Sequence, residues 1–97
     1  MDVKQLIAGR YARAQAQYDA VPEDIREDLF GAITWARETL RDHEGSGHNF
    51  EISYDERKQG FVASFSKPQW NADHASQPMN TAQNAIVMAV CEYLCGV

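Results

Sequence analysis

Long apolar runs are missing from this chain of 97 residues. The longest, Ala85 to Cys91, falls far short of the roughly 20 residues that a membrane-spanning helix requires. The opening Met1-Asp2-Val3-Lys4 has no signal-peptide character, so a cytoplasmic protein with no membrane partner is expected. Basic residues are a minority: 14 Asp and Glu face 9 Lys and Arg, for a formal net charge of −5. Such an excess repels phosphate backbones, and direct nucleic acid binding is not expected. Cysteine is scarce as well. Cys91 and Cys95 stand four apart, a spacing that matches neither the Cys-x-x-Cys redox motif nor a zinc knuckle, and free thiols in or near the core are expected.

Catalytic signatures are also lacking. His43-Glu44-Gly45-Ser46-Gly47-His48 resembles a zinc-protease motif only superficially. That motif sets two histidines four apart, about 40° around a helix; here they are five apart, about 140°, and the glycines interrupt the helix. A glycine-rich phosphate loop is missing because Gly45 and Gly47 follow a helix instead of preceding one. Ser64, Ser66, His74 and Cys91 carry no nucleophile signature. A non-catalytic protein without cofactor or metal is therefore expected, and the alternative is a small-molecule or metal-binding protein that uses the His43, His48 and His74 loops.

What is present is the patterning of one small α+β domain spanning residues 1–97: two N-terminal helices, an antiparallel hairpin with room for a third short strand, and a C-terminal helix packed on the sheet. Asp2 and Gln5 form a capping-box pattern ahead of Val3, Ile7, Tyr11, Ala14 and Tyr18, which predict an amphipathic helix with that stripe inward. Pro22, Glu23 and Asp24 open a second helix that is expected to run to about His43, with Ile25, Leu29, Ala32, Ile33, Ala36 and Leu40 in the core and Phe30 core as well. The period then drops to two. Phe50, Ile52 and Tyr54 on one strand and Phe61, Ala63 and Phe65 on the next give an aromatic face that must be covered, and the polar connection between them ends in Gly60. Asn80 with Gln83 starts a final helix in which Ala82, Ala85, Ile86, Ala89, Val90 and Tyr93 point inward, flanked by Val87, Met88, Cys91 and Leu94. So apolar a helix belongs at the centre.

Charge is unevenly placed. Residues 19–44 hold eight acids and three bases, a balance of −5, whereas residues 1–18 hold one acid and three bases, a balance of +2. On a continuous helical wheel Asp24, Glu27, Asp28, Gly31, Trp35, Glu38 and Asp42 share one stripe turned away from the core. Two readings of Trp35 compete: it packs under the first helix or the long loop, or it anchors an interface ringed by carboxylates that steer a basic partner. Trp70, in the loop Lys67–Met79, has the same pair of readings, a lid over the hairpin or a second contact. A homodimer that hides Trp35 is a further alternative.

The segment Asn49–Tyr93, with Phe50-Glu51-Ile52-Ser53-Tyr54, Phe61-Val62-Ala63-Ser64-Phe65, Trp70 and Thr81-Ala82-Gln83-Asn84-Ala85-Ile86, resembles small phage and prophage proteins of the phage ABA-sandwich type. The resemblance covers about half the chain and carries no catalytic residue. It implies a phage-encoded inhibitor of a host defence complex, of the anti-CRISPR or nucleic-acid-mimic kind, acting in the host cytoplasm. The expected partner is a basic protein surface, such as that of a nuclease or defence-complex subunit.

Overall fold

A computed structural model describes residues 2–97 as an α+β fold with four helices and one three-stranded antiparallel sheet. In chain order these are α1 (Val3–Ala20), α2 (Glu23–Arg26), α3 (Leu29–Glu44), β1 (Asn49–Asp55), β2 (Gly60–Ser66), β3 (His74–Ala75) and α4 (Ala82–Leu94). The sheet order is β1-β2-β3. The optional third strand is thus real, and Phe61 and Met79 add an isolated bridge beyond it.

The centre belongs to α4, whose residues Ala85 to Glu92 are all buried. It packs on β2 on one side and on α1 and α3 on the other. Ala14 and Tyr18 of α1, Ala32, Ala36 and Leu40 of α3, and Ala63 and Phe65 of β2 complete the core. Small residues predominate where the helices approach, because alanines let the backbones come close. Thr81 caps α4, its hydroxyl accepting from the Asn84 N–H at 3.1 Å; the cap lies one residue after the expected Asn80.

Hairpin register follows the alternation in the sequence: Phe50 pairs with Phe65, Ile52 with Ala63 and Tyr54 with Phe61. In the connecting turn Asp55 Oδ1 accepts from the Arg57 and Lys58 N–H groups at 3.0 and 3.1 Å. Gln59, not Gly60, takes the left-handed conformation, with φ 52°. The glycine is required for another reason: a Cβ on Gly60 would lie 2.6 Å from Cβ of Pro78.

Three expectations are corrected. The single helix from Pro22 to His43 is broken at Glu27 and Asp28. Asp28 adopts extended backbone and its Oδ2 accepts from the Gly31 N–H at 2.9 Å, which makes it the N-cap of α3. An Asp at that point satisfies an orphan N–H better as a cap than as one more turn of helix. Phe30 is not core but 79% exposed, and Leu29 beside it is 38% exposed. A wheel centred on Ala32, Ala36 and Leu40 turns Phe30 about 120° from the buried face. The inward stripe of α1 holds only for Ala14 and Tyr18, while Val3, Leu6, Ile7 and Tyr11 are exposed.

Candidate protein-docking surface

The break at Asp28 divides the acidic stripe into two unlike parts. Asp24, Glu27 and Asp28 are exposed and lie on α2 or at the junction. Arg26, the only base in residues 19–36, folds back: its Nε donates to the Val21 carbonyl at 3.1 Å and its guanidinium sits 4.8 Å from the Tyr18 ring centre. The junction thus carries the exposed carboxylates Glu23, Asp24, Glu27 and Asp28 against the single guanidinium of Arg26, which lines a hollow with Glu23 and Glu27. Glu38 and Asp42 are exposed farther along α3, where Arg37 and Arg41 alternate with them, and Arg41 Nε lies 3.5 Å from Asp42 Oδ1. Asp42 stands about 20 Å along the axis from Asp28. The stripe expected from one wheel is thus a corner plus a mixed-charge tail.

Trp35 is half-buried and packs on the core. Its ring separates two surface hollows. One, of about 450 Å³, is lined by Ile25, Asp28, Phe30, Gly31, Thr34, Trp35 and Glu38. The other, of about 350 Å³, runs under the end of α1 past Val21, Pro22, Thr39, Cys91 and Leu94. The indole is packed against its own chain, and it also lines a hollow together with Asp28 and Glu38. Phe30, expected in the core, is instead an exposed aromatic on the lining of this hollow. The signal for it was its place on the wheel, on the side away from Ala32 and Ala36.

Trp70 lines neither of those hollows. It sits in a cluster of rings, 5.6 Å from His48, 5.9 Å from Phe65 and 5.6 Å from Tyr93 between centres, and so covers the end of the sheet as a lid does. Beneath it the Glu44 carboxylate gathers three partners. It accepts from the Tyr93 hydroxyl at 2.5 Å, bonds His48 Nε2 at 3.0 Å, and lies 3.8 Å from Lys67 Nζ, which also donates to the Glu44 carbonyl at 3.1 Å. Partial burial pushes this carboxyl up, but Tyr93, His48 and Lys67 together outweigh it and hold Glu44 below the usual range. Burial, reinforced by Glu44, pushes the Tyr93 hydroxyl up to about 12. This knot ties the end of α3 to α4 and to both long strands.

The three histidines of the alternative reading all lie near Tyr93 or Trp70. His43 is 6.4 Å and His74 5.3 Å from the Tyr93 ring, and His48 is engaged with Glu44. His74 is held below its usual range by burial, against the raising effect of the Ala89 backbone. Its Nε2 is buried without a hydrogen-bond partner among the described residues. Among those residues no group of three or more His, Cys, Asp or Glu is arranged to hold a metal ion. Cys91 and Cys95 are free thiols, and burial, with Cys95 and Glu92 nearby, pushes Cys91 up to about 12. A thiol so disfavoured as thiolate is a packing residue. No helix of the described residues is long and apolar enough to cross a membrane.

No protein-family model, curated protein or solved structure matches this chain.

Proposed function

We propose that this is a non-catalytic binding module that docks the corner formed by α2 and the start of α3 on a basic protein surface. The observation that carries the reading is Phe30, 79% exposed in a hollow that it lines with Trp35, Asp28 and Glu38, with Asp24 and Glu27 exposed on the turn just before it. An exposed phenylalanine gains nothing from water, and an apolar anchor ringed by like charge is the composition of a contact that is steered by carboxylates and held by aromatics. Glu38 extends the acidic rim, and Asp42 lies too far along α3 to share the anchor. Trp70 belongs to the ring cluster and is not part of this contact.

The likeness of Asn49–Tyr93 to phage ABA-sandwich proteins supports a finer version. In it the protein is a phage-encoded inhibitor in the host cytoplasm, and the partner is the nucleic-acid-binding face of a host nuclease or defence complex. Affinity capture from bacterial lysate with mass-spectrometric identification tests both levels. A basic, nucleic-acid-binding subunit is the expected catch. Phe30→Ala weakens capture by about tenfold or more. Asp24→Lys with Glu27→Lys slows association, and the loss shrinks as salt rises through about 0.3 M. Capture indifferent to these substitutions and to salt would overturn the reading. These positions are chosen because Asp28 also caps α3 and Trp35 also packs the core, so replacing either disturbs the fold.

A further inference from the structure

Backbone hydrogen bonding fixes which edge of the sheet is open. Phe61 exchanges both of its backbone bonds with Met79, at 2.7 and 2.8 Å, and Ala63 receives the Ser76 N–H at 2.8 Å while donating to Ser76 Oγ at 3.1 Å. These residues of β2 therefore turn their backbone groups away from β1. The residues between them, Val62 and Ser64, face β1 through Ser53 and Glu51. By the alternation of an antiparallel ladder, Phe50, Ile52 and Tyr54 then direct N–H and C=O to the free edge.

Apart from the carboxylates of Glu51 and Asp55, that edge lacks the usual protection. Asn49–Asp55 contains no Lys, Arg, Pro or Gly, and its ladder to β2 runs from end to end without a bulge. The apolar face is incompletely covered as well. α4 packs on β2 and β3, and Ile52 and Tyr54 remain 40% and 53% exposed on the face that carries Phe61 and Ala63.

We propose that β1 is a self-association edge: two copies pair antiparallel about a two-fold axis through Ile52, joining two three-stranded sheets into one of six strands. The register is singled out by the sequence. Centring on Ile52 sets Phe50 opposite Tyr54 of the second copy, Ile52 opposite itself and Tyr54 opposite Phe50. All three pairs are of the hydrogen-bonded kind, so every edge-facing group finds a partner. Between them Glu51 meets Ser53 and Asn49 meets Asp55, so no like charges face each other. Ile52 and Tyr54 of both copies lie on one face and cover each other. A second copy suits this edge because the strand is complementary to itself in charge and in hydrogen bonding. The acidic α2–α3 corner is on different elements, and the proposal does not depend on what binds there.

Sedimentation equilibrium of the whole chain tests it. At about 100 µM, a range in which weak edge contacts register, the expected mass is twice 10.9 kDa. Ile52→Lys sets two like charges opposite each other on the axis and raises the dimer dissociation constant at least about tenfold. Glu51→Lys, on the other face opposite Ser53, leaves it nearly unchanged. Amide exchange gives an independent reading: Phe50, Ile52 and Tyr54 lose protection on dilution while Glu51 and Ser53 keep theirs. A wild-type monomer at 100 µM would overturn the proposal and leave the edge to another protein's strand. A dimer unaffected by Ile52→Lys, with folding confirmed by circular dichroism, would also overturn it.

Discussion

Two helices of this protein carry apolar stripes, α1 and α4, and their fates differ. In α4 eight successive residues, Ala85 to Glu92, are buried; in α1 only Ala14 and Tyr18 are. Pattern does not account for this, because Val3, Ile7 and Tyr11 continue the spacing of Ala14 and Tyr18 toward the N-terminus. Position does. α4 lies between the sheet and two helices, whereas α1 packs mainly on α4, with Arg26 of α2 against Tyr18 near its C-terminal end, and Arg10 Nη1 reaches the Gly96 carbonyl at 3.1 Å, where the last helix has already ended. The N-terminal turns of α1 overhang. A stripe shows what a helix is able to bury, and the length of its neighbour decides how much is buried.

The contrast is sharpest in the core. Leu40→Ala, at a position with no exposure, is expected to cost about 2–5 kcal/mol in urea unfolding, since the packed helices cannot close the cavity. Ile7→Ser on the overhang is expected to stay within about 0.5 kcal/mol. A loss at Ile7 approaching that at Leu40 would break the comparison and reveal a partner for the overhang in solution.

Two carboxylates, Glu44 at the end of α3 and Glu92 within α4, give a second, smaller contrast, read as stability against pH. Glu44 has a lowered folded value, so the stability it lends is whole above the ordinary 4.5 and fades as pH falls through the lowered value. Glu92 is the reverse. Burial pushes it up against the pull of Gln77, so its contribution is whole below 4.5 and is lost as pH rises. Glu44→Gln is expected to destabilise by about 1–2 kcal/mol at pH 7, and the deficit shrinks toward pH 4. Glu92→Gln keeps an oxygen for the Gln77 N–H, bonded now at 3.0 Å, and is expected to raise stability at pH 7 by about 1 kcal/mol. Thermal melts across that range check both signs, and equal signs at pH 7 would refute the assignment.

The caps supply the smallest test. Thr81→Ala removes the cap of a buried helix and is expected to cost about 1 kcal/mol, whereas Asp2→Ala, which frees the Gln5 N–H now bonded at 2.8 Å on the overhang, costs a few tenths. Equal losses would mean that α1 is as firmly held as α4.

Local features were legible in the sequence. The cap at Asp2, the hairpin register and the central place of α4 each rest on residues a few positions apart. The break before α3 was not, because a helical wheel assumes a continuous helix and Asp28 serves a helix face and an N-cap equally well on paper. Phe30 was misplaced for the same reason: its surroundings are set by where α3 restarts. Glu44 and Tyr93 meet across 49 positions, and no spacing rule joins them. Of the expected contact residues, Asp28, Trp35 and Glu38 line one hollow and Asp24 and Glu27 are exposed on the turn before it, while Asp42 and Trp70 lie elsewhere.

The central place of α4 bears on how the protein is made. Translation produces α1, α3 and the hairpin before residues 82–94 exist, and each of the earlier pieces presents an apolar face whose cover is still to be synthesised. The earlier pieces are thus open to chaperones and proteases until residues 82–94 have left the ribosome, and a premature stop before Leu94 would leave a sticky fragment in place of a smaller version of the fold.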